Sequence, residues 1–295
     1  CELMGSDDNQ KSPPIVTSEQ IRYREYKLLL DPQRFRNEDS FRKFWKLAHH
    51  TAESLRIGLD KPDKEIKPLV REVVFYDSPH FKLYTHGFIL RKRTFYKHGL
   101  PQPNFELVLK FRHPDRQTAA TVDVRPLLPC TYTVKFKEEI LLPKEAALGL
   151  RFVYSHNCEL DTPNIVLTQK FEAIAGVFPA LKQIDANPKA ALAPVHNLSI
   201  VEYLVNLGEL DFGGKTTAKA TLAVWRVRTT NDPVVAELAY QLHFDNEEDF
   251  RRKPKELSQL FYTGLQSHAS EWIQRGTTKT ALIYGIGNTP VKHEE

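Results

Sequence analysis

Residues 71–112 read REVVFYDSPHFKLYTHGFILRKRTFYKHGLPQPNFELVLKFR, and this stretch decides the architecture. At a period of two, its last segment sends Phe105, Leu107, Leu109 and Phe111 to one side and Glu106, Val108, Lys110 and Arg112 to the other. The segment before it does the same, with Phe88 and Leu90 opposite Ile89, Arg91 and Arg93. Tyr76-Asp77-Ser78-Pro79 closes the first segment, and His98-Gly99-Leu100-Pro101 separates the second from the third. Three neighbouring strands are therefore expected, sharing an apolar side, with two of them sharing a basic one.

Working outward, Ile21–Leu30 reads as a strand that puts Tyr23, Glu25 and Lys27 on one face, closed by Asp31-Pro32. A helix follows from a cap at Asp39 or Ser40 to Gly58, with an apolar stripe through Phe41, Phe44, Trp45, Ala48, Ala52 and Leu55. His49, His50 and Glu53 on that helix read as a solvated group. Further strands are expected over Thr121–Arg125, Thr131–Ile140, Ala220–Arg228 and Val234–Phe244, with a last short one over Ala281–Tyr284. Helices are expected over Pro163–Ala180 and Lys255–Gln274. Ser199 and Glu202 make a capping-box pattern ahead of IVEYLVNL, which reads as a short helix stopped by Gly208.

The 295 residues, 41% hydrophobic and 26% charged, are those of an ordinary globular chain. No apolar run is long enough to span a bilayer as a helix. There is no P-loop, dinucleotide fingerprint, HExxH or GxSxG, and no CxxC spacing for a cysteine zinc site. The chain opens at Cys1 with a polar run, and two readings follow. Cys1 is a lipidated mature N-terminus on a tether over 1–20, which places the protein outside the cytoplasm and leaves Cys130 and Cys158 as a pair able to form a disulfide. Otherwise Cys1 is a fragment boundary, with Met4 as a candidate start, and the protein is cytoplasmic. Residues 21–295 read as one domain either way.

Collecting the charged sides of the strands gives ten bases: Lys27, Arg91, Arg93, Lys110, Arg112, Arg125, Lys135, Lys137, Arg226 and Arg228. Five acids stand against them (Glu25, Glu106, Asp123, Glu139 and Glu237), leaving a surplus of five on a chain whose net charge is +4. Bases at i, i+2 on one strand face repel unless something anionic neutralises them. A sheet of eight or so strands can also curl and close, which turns a basic face into a lumen suited to a polyanion.

The ordered set EYK, VVFYDSP, GFILRKR, FELVLKF, WRVR and VVAEL resembles the CYTH domain of the triphosphate tunnel metalloenzymes, over Ile21–Tyr284. The resemblance implies an α+β fold: a closed or nearly closed eight-stranded antiparallel barrel, open at both ends, with helices outside. It implies a metal-dependent hydrolase of a linear triphosphate, with Mg²⁺ or Mn²⁺ held by Glu25 and Glu237. Lys27 then contacts phosphate or orients the attacking water. Arg91, Arg93, Lys110, Arg112, Arg125, Lys135, Lys137, Arg226 and Arg228 are the expected phosphate ligands. The chain departs from the family pattern at both acidic pairs, where Tyr23 and Ala239 stand in place of carboxylates. Each lost carboxylate removes a metal ligand, so phosphate binding is better supported than hydrolysis. A non-catalytic nucleotide or polyphosphate binder and an adenylate cyclase are the alternatives. Nucleic acid is a weaker one, since basic faces with aromatics also follow phosphate backbones.

Overall fold

The computed structural model describes residues 20–60 and 66–286, so Cys1 and the expected tether lie outside the described residues. Nine strands close into a ring. They are β1 (Tyr23–Leu30), β2 (Leu69–Asp77), β3 (Phe88–Lys97), β4 (Leu100–His113), β5 (Tyr132–Leu141), β6 (Arg151–Asp161), β7 (Ile200–Asp211), β8 (Thr217–Val227) and β9 (Pro233–His243). The order around the barrel is β7-β8-β9-β1-β5-β6-β4-β3-β2, and β2 pairs with β7 to close it. Two-residue strands at Gly58–Leu59 and Ala193–Pro194 add to the outside of β7 and β2.

The expected barrel has eight antiparallel strands; the observed one has nine and is mixed. The second difference follows from the first. Strand directions can alternate all the way round a closed ring only when the number of strands is even. Nine strands oblige one neighbouring pair to run parallel, and here it is β1 with β5, in register Glu25 to Glu139. Every other pair in the ring is antiparallel.

The alternation in residues 71–112 governs β2 to β4 as expected. Between β3 and β4, His98 and Gly99 both take positive φ, 51° and 78°. That pairing matches a two-residue hairpin turn to the right-handed twist of its strands.

Helices α1 (Glu38–Ser54) and α5 (Arg252–His268) cover one flank of the barrel. There Tyr26, Tyr240 and Tyr262 pack with Phe44, Phe261 and Leu265, all essentially without exposure. Burying each such ring stabilises the fold by about 1.5–3 kcal/mol. The opposite flank is covered by the short helix α4 (Phe171–Val177) and the turns after it, which bury Phe171, Ile174, Phe178 and Leu181 against Leu107, Leu109 and Leu160. The remaining helices are α2 (Lys82–Thr85), α3 (Arg116–Thr121) and α6 (Lys279–Tyr284).

Several expected elements differ. Residues 200–211 form strand β7: apolar residues lie on both of its faces, Leu204 beside Glu202 in the lumen and Val205 outside, and a register shift opposite Ala220–Thr221 breaks the period, so the run imitates a helix. Of the strand expected over 121–125, Thr121 ends α3 and residues 122–125 follow it as irregular chain, and Ala281–Tyr284 belongs to helix α6, capped by the Thr278 side chain on Ala281 N–H. The helical segment expected over 163–180 shortens to α4. Strand β6 has no counterpart among the expected elements. Cys130 and Cys158 are both free thiols.

The resemblance implies a barrel open at both ends; residues 270–286 instead cross one of them. Asp31 N–H donates to Trp272 O and Gln274 N–H to Leu29 O, tying this segment to the end of β1. Further on, the Tyr284 ring stacks on Tyr84 with centroids 4.0 Å apart, and its hydroxyl donates to Asp77 Oδ2 at 3.0 Å. Between these anchors, Thr277–Thr280 form part of the wall of the central cavity.

Candidate functional site: a basic lumen

The barrel encloses a cavity of about 230 Å³. Alternation on β1, β3, β4 and β5 points Glu25 and Lys27, Arg91 and Arg93, Lys110 and Arg112, and Lys137 and Glu139 into it. Neighbouring strands add Arg71 from β2, Glu159 from β6, Glu202 from β7 and Glu237 from β9, and the crossing segment adds Lys279. Among the described residues, eight cations and five carboxylates line the wall, a surplus of three positive charges.

One half of the lumen is organised around Glu139, which has no exposure. Its carboxylate pairs with Lys110, lies 3.1 Å from both Lys27 Nζ and Arg112 Nη2, and accepts the Ser155 hydroxyl at 2.7 Å. Burial opposes its ionisation, but Lys110, Lys27 and Arg112 outweigh that and hold its pKa well below the ordinary glutamate value. Glu25 lies 3.2 Å from Lys27 and 3.5 Å from Lys137, which also donates to Gln241 at 2.8 Å. Lys27 is desolvated, yet Glu139 and Glu25 raise its pKa. Lys110 behaves oppositely: burial first and then the neighbouring Arg112 push it well below the usual lysine range despite Glu139.

In the other half, Arg71 donates to Glu202 at 2.6 Å, and the Trp225 indole N–H donates to the same carboxylate at 3.0 Å. Burial opposes the Glu202 charge, but Arg93 and Arg71 bring its pKa down to about 2. Arg93 is held by Glu106 at 2.8 Å. Lys279 Nζ lies 2.6 Å from Glu237 and 4.8 Å above the Trp225 ring. Arg91 stands apart. Among the described residues it has no ion pair, and its Nε is buried without a hydrogen-bond partner. Burial and then the adjacent Arg93 pull its pKa from 12.5 to about 9, against the weaker opposing pull of Glu106 and Glu202, neither of which reaches it as an ion pair.

The structure brings together eight of the expected site residues: Glu25, Lys27, Arg91, Arg93, Lys110, Arg112, Lys137 and Glu237. It does not bring in the others. Lys135 shares the inner face of β5 and pairs with the lining Glu159 at 2.5 Å, but does not itself line the cavity. Arg125 lies on the irregular chain after α3, 3.6 Å from Asp123 and with its side chain 40% exposed. Arg226 points outward and donates to Phe35 O at 3.1 Å and Asn231 O at 2.9 Å, while Arg228 pairs with Glu72 and the Tyr96 hydroxyl. On β8 it is Ala223 and Trp225 that face inward.

Four contributors escape the sequence reading. Arg71 sits at the inward parity of the opening stretch and could have been found there. Glu202 is hidden by the helical reading of β7, Glu159 by the missed strand, and Lys279 by its position on the crossing segment.

No family model and no curated protein matches the chain. Its fold is similar to that of a Hippeastrum protein assigned as an adenylyl cyclase and described as having a dominant triphosphatase activity. That likeness has 13% identity and a TM-score of 0.41 and covers 93% of this chain and 100% of that one. A Bacillus halodurans protein assigned as an adenylate cyclase is similar at 12% identity and TM-score 0.38, covering 89% and 97%. A protein of Vibrio parahaemolyticus with the same assignment is similar at 11% identity and TM-score 0.32, covering 90% and 99%. At these scores the likeness is one of general shape, and the case for function rests on the barrel and its lining.

Proposed function

We propose that this chain is a divergent barrel of the triphosphate-tunnel type whose lumen binds a linear triphosphate or polyphosphate chain. Arg91 carries the reading: a guanidinium without a partner, aimed into an enclosed cavity that already has a surplus of positive charge. Arg91 and Arg93 are two residues apart on β3, about 6.6 Å along the strand. At an effective dielectric near 20, two such charges repel by about 2–3 kcal/mol. A phosphate oxygen between them removes that repulsion and supplies the acceptor the Arg91 Nε lacks. Guanidinium forks match phosphate in a way a single ammonium does not. Lys110, held below its ordinary pKa, is the second cation that an incoming anion would stabilise.

The expected Mg²⁺ or Mn²⁺ does not fit the donors present. Glu25 stands opposite Gln241 on β9, four residues from Glu237, or about 13 Å along the strands. Each is already held by lysines, Glu25 by Lys27 and Lys137 and Glu237 by Lys279, which leaves no ready set of oxygens for an octahedral ion that binds them at about 2.1 Å. Among the described residues, no group of three or more His, Cys, Asp and Glu is arranged to hold a metal ion. Binding is therefore the conclusion, in place of metal-dependent hydrolysis by Glu25, Lys27 and Glu237. Calorimetric titration with inorganic tripolyphosphate tests it: saturable one-to-one binding supports it, and none refutes it. Orthophosphate release above that of an Arg91→Ala control, with Mg²⁺ or Mn²⁺ present, would restore the hydrolase reading.

A further inference from the structure

We infer that the ammonium groups of Lys27 and Lys279 occupy the carboxylates a divalent cation would need, so that this lumen takes its polyanion through protein cations alone. Its ligand rests on the phosphate-binding reading above; the exclusion of a bridging metal stands on the lumen's own geometry.

Glu25 and Glu139 are side by side on the parallel pair β1 and β5, the arrangement in which two carboxylates could share a dication. Lys27 Nζ sits between them, 3.2 Å from Glu25 and 3.1 Å from Glu139. It comes from the same strand as Glu25, so the cation is part of the wall and cannot dissociate. Glu139 is further neutralised by Lys110 and Arg112, and its Oε1 accepts from Lys110 and Ser155, while Oε2 lies 3.1 Å from both Lys27 and Arg112 without a hydrogen bond of its own among the described residues. The third carboxylate, Glu237, is capped by Lys279, which the crossing segment carries into the cavity and lays over the Trp225 ring. The two anchors of that segment, at β1 and at Asp77, fix where Lys279 enters.

A metal entering at Glu25 and Glu139 must surrender most of its water, which Mg²⁺ does reluctantly. It must also displace Lys27, leaving a buried ammonium beside a dication. Removing one partner from a buried ion pair is strongly destabilising, so the exchange is unfavourable at both ends. For a triphosphate the same wall works in the other direction. The lysines keep the carboxylates neutralised, and the surplus cations, Arg91 foremost, are left for phosphate.

The test has two independent readings. Mn²⁺ titrated alone into the unaltered protein is followed by electron paramagnetic resonance. The free-ion signal is expected to stay undiminished, and stoichiometric loss of it would overturn the inference. Tripolyphosphate is then titrated in EDTA and in excess Mg²⁺. Affinity in EDTA is expected to equal or exceed that in Mg²⁺, because the metal complexes the free ligand and has no place in the lumen. A tenfold or greater loss in EDTA would overturn it. Lys27→Met is expected to gain one Mn²⁺ per chain at the freed carboxylates, and a folded variant that still ignores Mn²⁺ would also overturn it. If tripolyphosphate fails to bind in both buffers, the function proposed above falls, while the Mn²⁺ titration still decides the inference.

Discussion

Replacing Arg91 with methionine should make the protein more stable and its ligand binding weaker, a combination that separates a functional cation from a structural one. The side chain has no ion pair to lose, and its buried Nε has no acceptor. A pKa brought from 12.5 to about 9 corresponds to about 5 kcal/mol of unfavourable environment for the charge. Water reaching the cavity screens most of that, leaving about 1–2 kcal/mol to be regained on removing the charge. For a chain of this size the gain raises Tm by about 2–5 °C. A charge-assisted hydrogen bond to phosphate is worth about 1.5–3 kcal/mol, so the tripolyphosphate Kd should rise roughly 10- to 150-fold. Differential scanning calorimetry and isothermal titration on the same preparations measure both. Arg93→Met is the control: it strands Glu106, 2.8 Å away, and should lower Tm. An Arg91→Met protein that melts lower and binds as tightly as before would refute the reasoning.

Other consequences are open to measurement. Glu139→Gln leaves Lys27, Lys110 and Arg112 facing a neutral amide and should cost about 3–5 kcal/mol in urea unfolding; a loss under 1 kcal/mol would mean the cluster is solvated. Glu202 has its folded pKa depressed to about 2 from the ordinary 4.5. Its contribution is therefore complete above pH 4.5 and lost as pH falls from there toward 2, with Glu139 acting in the same direction. Urea midpoints should drop over that window, and a flat profile there would contradict the assigned ion pairs. Arg226→Ala should leave tripolyphosphate affinity within twofold, because its guanidinium binds carbonyls on the outer surface. Cys158, with no exposure and a thiol pushed up to about 12 by burial, should resist alkylation that modifies Cys130 in the native protein.

The sequence reveals the barrel wherever a strand has one apolar and one charged face. Strands β1, β3, β4, β5 and β9 have that form, and their inward residues are the ones the reading names. It fails where a strand is apolar on both sides. On β8, Leu222 and Val224 pack outward while Ala223 and Trp225 face the lumen. Only the arginines mark a parity on this strand, and Arg226 marks the outer face. Strand register also shifts on both sides of β8, which local alternation cannot show. Strand β6 fails for the converse reason: Ser155, Asn157 and Glu159 on one face and Tyr154, His156 and Cys158 on the other leave no contrast. Lys279 could not have been placed at all, because its position depends on where the chain runs after the barrel is complete.

A crystal structure of the complex with tripolyphosphate tests the central claim most directly. The account predicts the phosphate chain inside the barrel, with oxygens within about 3 Å of the Arg91 guanidinium and Lys27 still seated between Glu25 and Glu139. Phosphate found only on the outer surface, beside Arg226 or Arg228, with the lumen unchanged at saturating ligand, would contradict it.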